Sequence, residues 1–470
     1  MPVAGQASTS FGAACRLPPA ACRLPTLPHC GSPRPCSVHR RTFLRGAGAS
    51  LGGVLVGCGR RVALNAPAVR SPGPVHPEFL FATGIENSYP LLSNGTRHDQ
   101  LEQCGHYRHW REDFGLAKSL GVDALRYGPA WYRTNPAPGR YDWSSVDDQM
   151  AWLREAGLLV IADLCHFGVP DWLDGFRDPA LPIHLAAYAR EFARRYPWVR
   201  YFTPVNEMFV AANFSSMLGW WNERATGVDS LVCTLGNLSM AHELAVEAIL
   251  AECPSATIVQ TESFEWFTPA DSSPAALAQA QFWNEARWAA LDLTLGRAPS
   301  PAMSELLVRT GMTTTDFAFL REKRARAQRW IGVDYYATSE QLVDANGRKT
   351  RSPQRIGLAA LAWQYHARYR LPLFVSETSR AAWRATGWLS EQWDEASQLA
   401  ARGVPVRGFT WFPLGDVIDW RHALREKRGD VDPIGLYDLG REPHAVAAAY
   451  ASLIADTRAR SGVRGVRVAG

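Results

Sequence analysis

The stretch "VRYFTPVNEM" (199–208) joins a short apolar run to an asparagine and a glutamate. The run has the length and the residue types of a buried strand, and Asn206 and Glu207 stand where that strand would end. A buried carboxylate without a partner is energetically costly, so Glu207 needs a reason for its position. A helix cap or a core ion pair would be a structural reason, and catalysis or ligand binding would be a functional one.

Apolar runs of the same kind recur from residue 78 onward, and amphipathic stretches such as 147–157 and 181–196 lie between them. Continuous apolar strands that alternate with helices predict a parallel sheet covered by helices. The seven further runs are "FLFATGI" (79–85), "VDALRY" (122–127), "LLVIADL" (158–164), "ATIVQTE" (256–262), "WIGVDYY" (330–336), "LPLFVSE" (371–377) and "VRGFTWF" (406–412).

Eight strand–helix units predict an α/β fold, a (β/α)₈ TIM barrel over residues 78–460, with insertions after the fifth and sixth strands. A doubly wound open sheet is the alternative, but no Gly-rich phosphate loop follows the first strand. In a barrel, functional side chains lie at the C-terminal ends of the strands. Polar and aromatic residues occupy those predicted ends: Glu86, Arg126, His166, Asn206, Glu207, Glu262, Tyr336, Glu377 and Trp411. Their convergence on one mouth favours a functional role for Glu207.

Glu207 and Glu377 end the predicted fourth and seventh strands, so both would face one cavity. Two carboxyl groups across a sugar-sized gap, with no metal ligands beside them, indicate glycosidic bond cleavage. One carboxyl group must be protonated so that it can give a proton to the leaving oxygen. The other must be ionised so that it can stabilise or attack the oxocarbenium-like centre. Arg126 is predicted to keep Glu377 ionised and Tyr336 to orient it. Asn206 is predicted to bind the sugar 2-hydroxyl, and no cofactor or metal is predicted.

Six motifs resemble segments of glycoside hydrolase family 1 and follow in the family's order between residues 79 and 450. The resemblance implies a retaining β-glycosidase with Glu207 as acid/base and Glu377 as nucleophile. The pairs are "TPVNEM" with T-x-N-E-P, "LFVSET" with T-E-N-G, "LRYGPAWYR" with R-F-S-I-S-W, "DLCHFGVPDWL" with L-x-H-W-D-x-P, "WIGVDYY" with I-G-x-N-Y-Y, and "GFTWFPLGDVIDW" with W-S-L-L-D-N-F-E-W.

The departures from the family pattern lie mostly around the sugar. Asp419 stands where the family has the glutamate that contacts the far sugar hydroxyls, and Pro90 stands where its sugar-binding glutamine would be. Met208 replaces the proline after the acid, and Ser379 replaces the glycine of the nucleophile motif. The chain therefore resembles a divergent member of the family. We predict that a β-glucoside is not its best substrate. The predicted substrate-binding residues are Glu86, Arg126, His166, Asn206, Tyr336, Trp411 and Asp419.

A catalytically silent carbohydrate-binding protein on the same barrel is the alternative function, although both glutamates are present. The net charge of +5, from 50 basic and 45 acidic residues among 470, does not indicate a nucleic-acid-binding face. His106 and His109 lack a third ligand at a recognisable interval and are interpreted as structural. The predicted partner is a carbohydrate substrate, and the oligomeric state and any cysteine pairing stay open.

The first 58 residues are interpreted as a low-complexity leader with an export signal, and residues 59–77 as a tether. Arg40 and Arg41 begin a segment that resembles a twin-arginine motif, and the apolar stretch after it is shorter than the roughly 20 residues of a membrane span. The sequence "LVGC" ending at Cys58 resembles a lipobox, which predicts lipidation of that cysteine. The predicted location is the periplasm or cell envelope, with a lipid anchor as the sole membrane contact.

Overall fold

The computed structural model describes residues 79–323 and 327–461. The predicted leader, the tether and the lipidation site Cys58 lie outside these residues. Within the described ranges, no helix combines the length and the apolar character that a membrane crossing requires.

Eight parallel strands close into a barrel in the order β1-β11-β10-β7-β5-β4-β3-β2. The strands of the described residues are β1 (Leu80–Gly84), β2 (Ala124–Tyr127), β3 (Leu159–Asp163), β4 (Tyr201–Thr203), β5 (Thr257–Ser263), β6 (Trp266–Pro269), β7 (Gln328–Asp334), β8 (Glu340–Val343), β9 (Lys349–Arg351), β10 (Leu373–Glu377), β11 (Val406–Thr410), β12 (Val417–Ile418) and β13 (Val431–Asp432). The predicted (β/α)₈ barrel is confirmed, and the open sheet is excluded.

Helices cover the barrel and extend its loops. They are α1 (Gln100–Gln103), α2 (His106–Ser119), α3 (Trp131–Thr134), α4 (Ser144–Ala156), α5 (Leu181–Arg195), α6 (Met208–Ala212), α7 (Val228–Glu252), α8 (Pro274–Ala286), α9 (Ala289–Thr294), α10 (Pro301–Arg309), α11 (Thr314–Lys323), α12 (Leu358–Tyr369), α13 (Ala382–Ala401) and α14 (Ala445–Ser461). The amphipathic stretches at 147–157 and 181–196 correspond to α4 and α5, and α4 ends where Gly157 takes a left-handed φ of 71°.

The predicted insertions are present after the fifth and sixth barrel strands. Strand β6, which follows β5, pairs with β8, and β8 pairs with β9, so that the two insertions build one small sheet of three strands. Helices α8 to α11 complete the first insertion. Both insertions leave the C-terminal ends of their strands, which is the face where barrel sites form.

The alternation of side chains along each strand separates two apolar layers. Leu80, Ile161 and Phe374 belong to a small cluster inside the barrel, whereas Phe81 and Leu125 belong to the large cluster between strands and helices. The interior is tight: a Cβ on Gly408 would lie 2.2 Å from the Phe374 ring and 2.4 Å from the Leu80 carbonyl oxygen. Only glycine fits there, because real Cβ atoms do not approach that closely.

Candidate active site

The two predicted catalytic glutamates meet at the mouth of the barrel. Glu207 follows β4 in a left-handed conformation, with φ of 42°, and precedes α6. Glu377 is the last residue of β10, just after a shift in the pairing register between Val375 and Glu377. Both side chains are buried, and carboxyl oxygens of the two lie within 4.8 Å of each other.

The Glu377 carboxylate is held from two sides. Arg126 donates from Nη1 to Oε1 at 2.5 Å, and the Tyr336 hydroxyl donates to Oε2 at 2.7 Å. Arg126 is itself almost fully buried, with a side chain 1% exposed. A buried guanidinium in contact favours the ionised form of a carboxyl group, and the phenol hydrogen bond does the same. The sequence predicted both residues beside Glu377, where the structure has them, and the roles assigned to them stay predictions.

Arg126 ties three strand ends together. Its Nη2 donates to Asp163 Oδ2 and to Asn206 Oδ1, both at 2.9 Å. Asn206 Oδ1 also accepts from the Thr261 hydroxyl at 2.6 Å. The amide oxygen of Asn206 is therefore occupied by the protein, which fixes the side chain, and its Nδ2 lies 3.3 Å from His166 Nε2.

Glu207 has a different environment. Burial, together with the charges of Asp334 and Glu377, raises the pKa of Glu207 well above its usual value. Glu262, at the end of β5, accepts at Oε2 from the Phe209 backbone N–H at 3.2 Å and so holds the first turn of α6, directly after Glu207. Burial raises the pKa of Glu262 to about 8. The surroundings of Glu207 therefore favour its protonated form.

His166 and Glu86 form the far side of the pocket. His166 Nδ1 lies 2.9 Å from Asp163 Oδ2, and Nε2 lies 3.3 Å from Glu86 Oε1. Burial alone would lower the pKa of His166, but Glu86 and Asp163 raise it to about 9. These two carboxyl groups favour the protonated imidazole, in which Nε2–H would donate to Glu86. Ser88 donates to Glu86 from its backbone N–H at 3.1 Å and from its hydroxyl.

Two predicted sugar contacts are not supported by the structure. Trp411 is fully buried in the large apolar cluster, and its Nε1 donates to the Ile434 carbonyl oxygen at 3.1 Å. The next residue, Phe412, faces the site instead, and Arg126 lies 5.2 Å from the centre of its ring. Because neighbouring side chains in extended backbone point in opposite directions, an error of one residue moves the aromatic ring to the other face.

Asp419 is also fully buried, and its carboxylate is hydrogen-bonded to the backbone of a loop. Oδ2 accepts from the backbone N–H groups of Arg428 and Gly429 at 2.9 and 3.0 Å, and Oδ1 accepts from that of Asp430 at 2.9 Å. These bonds order residues 428–430. The sugar contact predicted for Asp419 is therefore corrected to a structural role.

Two polar residues of the site were not predicted from the sequence. Asp163 joins Arg126 to His166, and Asp334 lies within 4.8 Å of both glutamates. Period-two alternation carries a signal for Asp334, because it shares a strand face with Tyr336 in "WIGVDYY".

The remaining clusters have structural explanations. His106 Nδ1 lies 2.7 Å from Asp113 Oδ2, and Arg441 donates from Nε to Asp113 Oδ1 at 3.0 Å, so this histidine contacts a buried Asp113–Arg441 ion pair. In the described residues the cysteines are free: Cys104, Cys165, Cys233 and Cys253.

Comparison with known proteins places this geometry in a family. Residues 92–362, more than half of the 470-residue chain, match the model of glycosyl hydrolase family 1. The chain belongs to glycosyl hydrolase family 1. It is an O-glycosyl hydrolase with a carbohydrate substrate, as the names of its curated relatives also support.

The family 1 relatives are distant in sequence. A beta-glucosidase of Agrobacterium sp. is 22% identical over 377 residues, which cover 71% of this chain and 81% of the relative. A probable inactive beta-glucosidase of Oryza sativa subsp. japonica is 23% identical over 263 residues, half of each protein. The solved structure of a family 1 beta-glucosidase from Thermotoga maritima has a TM-score of 0.70 at 17% identity, covering 82% of this chain and 99% of that one. That likeness shows the shared barrel.

Proposed function

We propose that this protein cleaves a β-linked sugar from the non-reducing end of its substrate with retention of configuration, using Glu377 as nucleophile and Glu207 as acid/base. The observation that carries the proposal is the separation of the two carboxyl groups, whose oxygens lie within 4.8 Å. Retaining glycosidases place these groups about 5–5.5 Å apart, whereas inverting enzymes leave about 6.5–9.5 Å for a water molecule. The shorter spacing fits direct attack by a carboxylate.

The neighbours of each carboxyl group decide which role it takes. Glu377 accepts from the Arg126 guanidinium at 2.5 Å and from the Tyr336 hydroxyl at 2.7 Å, and both donors stabilise the carboxylate form that a nucleophile needs. Glu207 is buried beside other carboxyl groups, and its raised pKa makes it the proton donor. An ionised nucleophile and a protonated acid are the pair that glycoside cleavage requires.

The reaction then proceeds in two displacements. A Glu377 oxygen forms a bond to the anomeric carbon while the glycosidic C–O bond breaks and Glu207 gives its proton to the leaving oxygen. In the second step the Glu207 carboxylate takes a proton from water, whose oxygen attacks the anomeric carbon and releases Glu377. Asn206 Nδ2 would donate to the sugar 2-hydroxyl, and His166 and Glu86 would bind other hydroxyls of the sugar.

The relatives support a β-glycoside as the substrate class, since several are named beta-glucosidases and two are named beta-galactosidases. One relative is named probable inactive, which keeps a silent sugar-binding protein as the second candidate. That candidate is less well supported, because Glu207, Glu377 and the contacts of Arg126 and Tyr336 to Glu377 are all present. A protein that only binds sugar has no need of an ionised and a protonated carboxyl so close together.

Proton NMR of the first product tests the stereochemistry. An aryl β-glycoside that the wild-type enzyme hydrolyses is followed from the first minutes, before the free sugar mutarotates. The proposal predicts that the β anomer appears first and the α anomer only later, at the rate of spontaneous mutarotation. Initial formation of the α anomer would show inversion, and no hydrolysis across a panel of β-glucosides, β-galactosides, β-fucosides and β-xylosides would favour the silent protein.

A further inference from the structure

A third carboxyl group lies beside the two glutamates. Asp334 is the last residue of β7 and is fully buried. Its Oδ1 accepts from the Ser376 hydroxyl at 2.5 Å, while Oδ2 has no hydrogen-bond partner among the described residues. Oxygens of Glu207, Asp334 and Glu377 all lie within 4.8 Å of one another. Neither step of the proposed reaction uses Asp334.

Among the described residues, Arg126 contacts this cluster, and its terminal nitrogens are already hydrogen-bonded to other groups. Arg126 gives Nη1 to Glu377 and Nη2 to Asp163 and Asn206, so neither terminal nitrogen is left for Asp334. The ring nitrogens of His166 likewise face Asp163 and Glu86. A buried carboxylate that has like charges nearby and no cation in contact retains its proton, because ionisation would be uncompensated.

We infer that Asp334 is a positioning residue of the reaction: it holds a proton in the resting enzyme and, once ionised, keeps Glu207 protonated to higher pH. This inference rests on the proposed function, because it assigns Glu207 as the acid. Asp334 and Glu207 would then titrate as a pair, and the alkaline limit of activity would belong to the pair rather than to Glu207 alone.

The electrostatics agree with the geometry. Burial, followed by the charge of Glu377, raises the pKa of Asp334 well above its usual value, against the smaller lowering effects of the Arg126 charge and the Ser376 hydrogen bond. For Glu207, Asp334 is the largest cause after burial. The charged and titratable groups that face Asp334 from neighbouring elements are Glu377, Arg126, Glu262, Glu207 and Tyr336.

The family motif suggests a matched variant of Asp334. The motif "WIGVDYY" has aspartate where the resembling family motif has asparagine, so Asp334→Asn keeps the shape and removes the ionisable group. The Asn oxygen can still accept from Ser376. With no negative charge at residue 334, Glu207 should lose its proton at lower pH.

The first measurement is the pH profile of kcat/KM for Asp334→Asn and wild type on the same aryl β-glycoside. The alkaline limb should move to lower pH by about one unit, as expected for carboxyl groups that titrate as a pair, with the acid limb unchanged. Glu265→Gln, which removes a carboxyl group that contacts Ser263 and Gln341 outside the three-carboxyl cluster, should move the alkaline limb less. Coincident profiles for Asp334→Asn and wild type would overturn the inference.

The second measurement is independent of catalysis. A carboxyl whose pKa is higher in the folded than in the unfolded protein costs stability as pH rises above its unfolded value of about 3.9. The melting temperature of Asp334→Asn minus that of wild type should therefore increase between pH 4 and pH 8. A difference that stays constant with pH would contradict a retained proton. Stabilisation of wild type by Ca²⁺ or Mn²⁺ that EDTA reverses and Asp334→Asn abolishes would also overturn it, in favour of a metal site.

These readouts separate the two proposals. If the difference in melting temperature grows with pH but no β-glycoside is hydrolysed, the proposed function fails while Asp334 still holds its proton. If hydrolysis proceeds and neither readout changes, the inference about Asp334 fails alone.

Discussion

At the scale of single residues, Glu207 and Glu377 have the same side chain but different surroundings, and the surroundings favour different roles. Glu377 contacts a buried guanidinium and a phenol, whereas Glu207 lies beside Asp334 and Glu377 with burial as the main influence. Their positions at the ends of predicted barrel strands indicated that the two carboxyl groups would converge, and the family resemblance implied their roles. The place of Asp334 beside them depends on contacts between β7 and β10, which only the fold brings together.

Asp419 provides a residue-scale prediction that replaces the one made from sequence. Its two oxygens accept three backbone N–H groups of residues 428–430, and asparagine would offer one oxygen and place an N–H₂ group against a donor. Asp419→Asn should lower the free energy of unfolding by about 1–3 kcal/mol, the cost of a buried group left unpaired.

Denaturant titration measures that loss, and kcat/KM for β-glucoside, β-galactoside, β-fucoside and β-xyloside should keep its order. A changed ranking without loss of stability would restore the sugar-binding role. The resemblance could not tell a sugar-binding Asp419 from a structural one. Asp419 has a left-handed φ of 64° before a turn, and the loop conformation decides where its carboxylate points.

At the scale of secondary structure elements, the apolar runs predicted all eight barrel strands because buried parallel strands are continuously apolar. Strand ends were predicted less well. The run "VRGFTWF" continues past β11, which ends at Thr410, so the direction of Trp411 and Phe412 could not be obtained from strand periodicity. The shift in register before Glu377 likewise changes which way that side chain points, and no sequence pattern reveals such a shift.

One contact between elements should matter to stability and not to catalysis. Glu243 of α7 and Arg329 of β7 form a buried ion pair with two hydrogen bonds, of 2.9 and 2.6 Å. Burial alone would raise the pKa of Glu243, but Arg329 and His242 hold it below its usual value. Glu243→Gln leaves the guanidinium unpaired and should lower the free energy of unfolding by about 3–5 kcal/mol.

Because the pKa of Glu243 is lowered on folding, its contribution is fully present above the unfolded value of about 4.3 and is lost as pH falls below it. Chemical denaturation at pH 7 and pH 4 should therefore show a larger effect of Glu243→Gln at pH 7. Arg194→Ala breaks the exposed pair with Glu191 and should change stability by less than about 1 kcal/mol. Equal losses from the two variants would contradict a structural role for the buried pair.

At the scale of the whole molecule, we propose that the barrel is exported. The order of Arg40–Arg41, the short apolar stretch and the lipobox-like "LVGC" supports a twin-arginine signal with a lipid anchor at Cys58. Replacing both arginines by lysine should leave precursor in the cytoplasm, and Cys58→Ser should release the mature protein from membranes. Cell fractionation and immunoblotting measure both, and a wild-type protein found only in the soluble fraction would contradict the anchor.

The central claim is that Glu377 becomes bonded to the sugar, and azide rescue of Glu377→Gly tests it most directly. Removing the carboxylate should abolish turnover of an aryl β-glycoside with a good leaving group, while the melting temperature shows that the barrel still folds. Azide fits the vacated space and attacks the anomeric carbon from the same side, so it should restore turnover.

The configuration of the glycosyl azide shows whether the replaced glutamate is the nucleophile or the acid/base. With Glu377→Gly the rescued product should be the α-glycosyl azide, because a single displacement inverts the β-glycoside. Glu207→Gln is the matched variant: it keeps the nucleophile, so azide should instead trap the glycosyl-enzyme as the β-glycosyl azide. Turnover of Glu377→Gly near the wild-type rate, or a β-glycosyl azide from it, would contradict the assignment of Glu377 as the nucleophile.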